Sequence, residues 1–183
     1  MNIALPEKIR PVETAADHAS GPMFDLIELF FFAYRDFVAD ADRLLADLKF
    51  GRAHHRVLHF VMRQPGLTIA ELLDILRITK QSLNRVMKDL VDQDCIEARP
   101  GVADRRHRLL FATPKGRRLA LDLATVQSQR FERVLGNLPP GARDHAWQFF
   151  LAMIDPQDRE AVRARFAPGG PSARLTVASD RSS

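Results

Sequence analysis

Cysteine is all but missing from this chain, with one residue, Cys95, in 183. That excludes an intramolecular disulfide and a cysteine-rich metal cage, and suits a reducing cytoplasm. Long apolar runs are missing as well. In the Phe-rich stretch only residues 29–34 separate Glu28 from Arg35, far short of the roughly 20 residues a membrane-spanning helix needs. The opening MNIALPEKIRPVETAADHAS mixes charge with proline and lacks the apolar core of a secretory leader. There is no nucleophile elbow, no glycine-rich phosphate loop and no carboxylate pair in a catalytic setting, so an enzyme is the weakest reading. No internal repeat is visible. The expectation is a soluble, cytoplasmic protein with no cofactor and no bound metal.

What is present is globular in composition, 46% hydrophobic and 27% charged. The net charge of +4 is unevenly spread. Residues 49–118 hold 15 Lys and Arg against 7 Asp and Glu, a local +8, and leave −4 for the rest of the chain. A basic centre between acidic or neutral flanks suits a nucleic-acid surface. Solvated helices can carry the same charge, and charge alone does not separate the two.

Residues 1–22 contain Pro6, Pro11 and Pro22 without sustained periodicity and read as a flexible arm. Over residues 23–48 the pattern turns helical. Leu26, Phe30, Ala33, Phe37, Ala41, Leu44 and Leu48 form one stripe, and Ile27, Phe31, Tyr34, Val38 and Leu45 run beside it. Two stripes exceed what one small core requires, so this helix is expected to bury one side at home and the other against a second chain. A long helix in a monomeric bundle is the alternative.

A second helix is expected over residues 52–63, stopped by Gln64-Pro65-Gly66. A third opens with the capping box Thr68-Ile69-Ala70-Glu71 and runs to about Arg77. A fourth starts near Thr79 and continues to about Asp94, with Leu83, Val86, Met87, Leu90 and Val91 inward and Lys80, Gln81, Asn84, Arg85 and Lys88 outward. The pattern then changes. Residues 95–99 and 109–113 read as two strands joined by Pro100-Gly101-Val102-Ala103-Asp104 and a basic tip, Arg105-Arg106-His107-Arg108. Thr113 and Pro114 suit the start of a long helix to about Asn137, with Leu119, Leu123, Val126, Phe131, Val134 and Leu138 toward one side. Leu138-Pro139-Pro140-Gly141 breaks it. A helix over residues 142–154 follows, then a short segment from Pro156 up to Phe166 and a disordered tail over residues 167–183.

Two short helices joined by a tight turn, a third with a polar outer face and then a basic hairpin describe a winged helix-turn-helix. A helix fits the major groove and presents side chains to base edges, and an Arg-rich hairpin tip suits the narrow minor groove. On these residues the sequence resembles the multiple-antibiotic-resistance-regulator (MarR) family of winged-helix transcription factors. The resemblance is densest over residues 68–116. It includes Thr-Ile-Ala-Glu-Leu, the run Thr-Lys-Gln-Ser-Leu-Asn-Arg-Val-Met-Lys-Asp-Leu, Asp104-Arg105-Arg106, and a T-x-x-G helix entry at Thr113-Pro114-Lys115-Gly116.

The resemblance implies a mainly α fold with a small β-wing. Its parts are an N-terminal dimerisation helix (23–50), a winged helix-turn-helix DNA-binding domain (51–116) and C-terminal dimerisation helices (117–166). It implies a homodimer on a pseudo-palindromic duplex DNA site and leaves room for a small-molecule effector. Position by position, Thr79 opens the recognition helix, Gln81, Ser82, Asn84 and Arg85 face the major groove, and Lys80 and Lys88 lie near phosphates. In the wing, Asp104 braces Arg106 in the minor groove, beside Arg105 and Arg108. Phe24, Phe30, Phe31, Phe37, Phe131, Trp147 and Phe150 are assigned to the dimer interface. Two departures stand out. Gln93-Asp94 occupies the place where many members have a glycine, and Phe111-Ala112 is an unusual end for the second strand.

Several residues carry two readings. Cys95 is a redox sensor or a small buried hydrophobe at a strand start. His54, His55 and His59 include an i, i+4 pair that can hold a metal, or serve structure or phosphate contact. Phe30-Phe31-Phe32 lines a ligand pocket or forms dimer core. At the level of the whole chain, a non-specific architectural DNA binder and a winged-helix protein-interaction module are the competing functions. An Arg-rich wing beside a polar recognition face weighs against the second.

Overall fold

The computed structural model describes residues 21–101, 108–167 and 170. In chain order these form α1 (Phe24–Ala46), α2 (Arg52–Arg63), α3 (Ile69–Leu76), α4 (Lys80–Asp92), β1 (Ile96–Pro100), β2 (Arg108–Ala112), α5 (Pro114–Leu135), α6 (Ala142–Met153) and α7 (Pro156–Ala164). Mainly helical structure with one small antiparallel pair of strands is the fold class the sequence led us to expect. The expected arm and tail fall outside the described residues, apart from residues 21, 22, 167 and 170.

The chain divides into one unit ending at Arg35 and another starting at Asp36. The described part of the first is helical, with its apolar side chains open to solvent. Phe24 is 64% exposed and Phe31 63%. Within it Phe30 and Tyr34 stack at 6.4 Å, and the Arg35 guanidinium lies 5.0 Å over the Phe32 ring.

In the second unit, α1 buries Val38, Ala41 and Leu45, spaced three and four apart. This home-facing side takes Ala41 from one of the expected stripes and Val38 and Leu45 from the other. Leu44 is exposed and Leu48 half-buried. Behind that face α2 contributes Val57, Leu58, Val61 and Met62, α3 contributes Leu72 and Leu76, and α4 adds Leu83, Val86, Met87 and Leu90. Ile96, Leu110, Ala120 and Leu123 complete the core from the hairpin and α5. Truncating a fully buried leucine such as Leu83 costs about 2–5 kcal/mol in cores of this kind. Val91, expected inward on α4, is exposed, because it lies about 100° round the helix from Leu90. Leu123 of α5 is buried, whereas Phe131 and Val134 on the same helix and Leu138 beyond its end are exposed.

Local signals set the helix ends. The Thr68–Glu71 capping box is formed, with Glu71 N donating to Thr68 Oγ1 at 3.2 Å and Thr68 N donating to Glu71 Oε2 at 2.7 Å. The strands pair antiparallel from Ile96 opposite Ala112 to Pro100 opposite Arg108, one residue off the expected limits of each. A third short segment joins them. Gly66 N donates to Leu110 O and Leu110 N to Leu67 O, both at 2.8 Å, so the α2–α3 turn anchors the inner edge of the hairpin. Gly66 has φ of 90°, a conformation that favours glycine.

Candidate nucleic-acid interface

The geometry of the site starts at the turn before α4. Arg77 takes a left-handed conformation, φ 51° and ψ 46°, which turns the chain between α3 and α4. Thr79 then caps α4, accepting from Ser82 N at 3.2 Å and donating to Ser82 Oγ at 2.9 Å. These two hydroxyls, both expected among the recognition residues, are tied to one another at the helix entry. Beyond the cap, Leu83, Val86, Met87 and Leu90 are buried. The 3.6-residue period then leaves Lys80, Gln81, Ser82, Asn84, Arg85 and Lys88 exposed on the opposite side. Lys88 pairs with Asp92 one turn on, and that hydrogen bond holds its ammonium above the ordinary lysine range.

α4 is braced from behind. His54 Nδ1 accepts from Gly51 N at 3.1 Å, so Nε2 is the nitrogen that donates to Asp89 Oδ2, also at 3.1 Å. The ring stacks on Phe50 at 4.7 Å. Of the three expected histidines this one has a structural task, joining the start of α2 to α4. Burial lowers the pKa of His55, against the pull of Asp42. His59 is pushed down to about 4, chiefly by burial and then by His55, Arg63 and Arg165. Cys95 is fully buried, and burial raises its thiol pKa, as for a small hydrophobe.

The base of the wing is locked to α4 and α5 through Thr113. Its N donates to Cys95 O at 3.1 Å, its Oγ1 donates to Asp94 O at 2.6 Å, and the same Oγ1 accepts from Gly116 N at 3.0 Å. Lys115 Nζ donates to Gln93 O at 2.6 Å. Asp94, in the Gln93-Asp94 pair where the resemblance led us to expect a glycine, has φ of 54°, the left-handed conformation that favours glycine. Further out, Arg99 lies 4.7 Å over the Phe111 ring and pairs with Glu97. That stacking accounts for the unusual aromatic at the strand end. Arg99 was not among the expected site residues, and its signal was the cross-strand register that sets it diagonally from Phe111. Arg108 is exposed and donates to Ala98 O at 3.1 Å. Asp104, Arg105 and Arg106 lie outside the described residues.

Of the expected interface aromatics, Phe37 is half-buried, with its ring 5.3 Å from that of Phe131. Trp147 is 44% exposed and stands edge-on to Phe166 at 4.9 Å. Phe150 is exposed.

A capped helix with its polar side outward, set beside a two-stranded hairpin, is the architecture of winged helix-turn-helix DNA-binding regulators. The curated helix-turn-helix transcriptional regulator PetP of Rhodobacter capsulatus is 45% identical over 133 residues, covering 73% of this chain and 80% of PetP. The MarR family model matches residues 48–107. The chain belongs to the MarR family of transcriptional regulators. Solved structures share the fold at lower identity. CouR from Rhodococcus jostii, bound to p-coumaroyl-CoA, is 16% identical with a TM-score of 0.61, covering 72% of this chain and 93% of CouR. S. aureus MepR, a mutant bound to an oligodeoxyribonucleotide, is 17% identical with a TM-score of 0.51, covering 70% of this chain and 94% of MepR.

Proposed function

We propose that this regulator binds duplex DNA sequence-specifically, as a homodimer on a pseudo-palindromic operator, with α4 in the major groove. One observation carries the reading. Leu83, Val86, Met87 and Leu90 of α4 are committed to the core, while Gln81, Asn84 and Arg85 stand exposed with amide and guanidinium groups that suit paired base contacts. Lys80 and Lys88 serve phosphates at the edges of that face. Thr79 and Ser82 set the helix entry and offer their remaining hydroxyl capacity to the backbone. In the wing, Asp104 orients Arg106 into the minor groove, with Arg105 and Arg108 on neighbouring phosphates. The oligonucleotide bound to MepR supports the DNA partner, and the p-coumaroyl-CoA bound to CouR supports a small-molecule effector. The reading assigns no catalytic residue and places the protein with DNA in the cytoplasm. No described helix is long and apolar enough to cross a membrane.

Fluorescence anisotropy with genomic fragments, including the DNA beside its own gene, in excess nonspecific competitor tests this. One fragment should bind selectively, and Arg85→Ala should weaken it by about 1–3 kcal/mol if Arg85 makes a bidentate base contact. Equal binding of all fragments favours an architectural binder. Unchanged affinity and specificity in Arg85→Ala removes the recognition-helix assignment.

A further inference from the structure

The helix that follows α6 is fastened to the helix-turn-helix at both of the turns that bound α3. Asp158, in the first turn of α7, accepts from Arg77 Nη2 with each carboxylate oxygen at 2.7 Å. Arg77 is the residue that turns the chain from α3 into α4. At the other end of α7, Arg165 Nη2 donates to Gln64 Oε1 at 3.1 Å, in the turn between α2 and α3. The neighbour of Asp158 ties α7 in a second direction. Arg159 Nη2 donates to Ala152 O at 2.8 Å and to Ile154 O at 3.0 Å, at the end of α6. α7 thus splints the end of α6 to the turn from which α4 starts.

That turn has reason to be held. Arg77 has φ of 51°, a left-handed conformation that is costly for a residue with a Cβ. The preceding carbonyl is held from α2, where Arg56 Nη2 donates to Leu76 O at 3.1 Å, and the Arg77 side chain is held from α7. Only Ile78 separates Arg77 from Thr79, the cap of α4. The core fixes α4 from Leu83 onward, and its first turn, which carries Lys80, Gln81 and Ser82, takes its direction from the residues before it.

We propose that Asp158 is a positioning residue for DNA recognition, which acts through Arg77 to set the first turn of α4 against the base edges; this rests on α4 being the recognition helix. The Arg77 side chain is 64% exposed and that of Asp158 32%, so the pair works partly in water and its effect is modest. Asp158→Asn keeps the shape of the side chain and removes its charge. In the full chain, amide hydrogen exchange at Ser82 and Leu83, which donate to Thr79 Oγ1 and Thr79 O, should quicken about threefold, with Leu123 on α5 unchanged. On the fragment that the wild type selects, the variant should bind about threefold more weakly, without loss of affinity for a random duplex of the same length. Charge alone gives the opposite sign, because loss of an acid strengthens attraction to phosphates. A role confined to folding would lower the thermal midpoint and leave the affinity of the folded protein where it was. In an Arg77→Met background, Asp158→Asn should alter neither exchange nor selectivity further, since the group it acts through is gone. Unaltered exchange at Ser82 and Leu83 in Asp158→Asn overturns the proposal, as does equal weakening of both duplexes or of neither. An effect of Asp158→Asn that persists in Arg77→Met overturns it too. Arg85→Ala tells this failure from that of the reading beneath it. If Arg85→Ala binds like the wild type, the assignment of α4 and the role of Asp158 fall together. If Arg85→Ala loses affinity and Asp158→Asn does not, the role of Asp158 falls alone.

Discussion

His59 sits half-buried on α2, edge-on to Phe60 with ring centroids 5.2 Å apart. Burial, together with His55, Arg63 and Arg165, holds its pKa at about 4, where an unperturbed histidine titrates near 6.5. The unfolded chain therefore takes up a proton as the pH drops below about 6.5, and the folded chain refuses it until about 4. The stabilising contribution is fully present above the unfolded value and is lost progressively as pH falls through that window. His55 is shifted in the same direction and adds to the loss. The thermal midpoint should thus be lower at pH 5 than at pH 7, and His59→Leu should reduce that difference without removing it, because His55 remains. Melts of the two proteins across this range check the expectation. An identical pH dependence in the variant would rule out His59 as its source.

The connection from α4 through the hairpin to α5 depends on one close approach. Gly116 lies so near the α4–β1 turn that a Cβ there would stand 1.9 Å from Cys95 O and 2.7 Å from Cys95 C. That atom is backbone, and its place is held by the Thr113 bonds to Cys95 O and Asp94 O. No rotamer change can relieve the clash, so α5 must move away from the base of the wing. Gly116→Ala should cost at least about 2 kcal/mol, the range of overpacking in a closed site. It should appear as a lower urea midpoint with an unchanged slope. A variant as stable as the wild type would mean that α5 can shift at no cost. The T-x-x-G pattern thus has two separate physical bases, a hydroxyl that caps α5 and a missing side chain that lets α5 pack.

The described residues expose more aromatic surface than a soluble monomer ordinarily carries. Before Arg35 this includes Phe24, Phe30, Phe31 and Phe32, and beyond it Phe131, Trp147, Phe149 and Phe150. Some of these side chains already have neighbours in the chain, Phe131 on Phe37 and Trp147 on Phe166, but each keeps over two-fifths of its surface open. A symmetric second copy is the partner that would cover them. Sedimentation equilibrium at micromolar concentration should find a dimer, and Phe150→Glu should shift the population toward monomer. Two recognition helices would then lie about 34 Å apart, so the operator should be an inverted repeat with half-sites one helical turn apart. A stable monomer that binds a single half-site at full affinity would dismiss both expectations.

Much of this was legible in the residues because the signals are short in range. The Thr68–Glu71 box, the Thr79 and Thr113 caps, Pro114 at a helix start and the apolar period of residues 83–90 each act over three or four positions. A chain of residues can announce such features without knowing its fold. The order of helix, turn, helix and basic hairpin was legible for the same reason, and with it the class of protein. Packing settled the rest. The periodicity of α1 offered two stripes, and the neighbouring elements chose Val38, Ala41 and Leu45 from both. Cys95 reads as the first strand residue, but its carbonyl is claimed by Thr113 from across the hairpin, and the strand starts one residue later. His54 with Asp89, Arg99 on Phe111 and Arg77 with Asp158 are all partnerships between residues far apart in sequence or on facing elements. Each depends on how whole elements come to lie together, and no local periodicity encodes that distance.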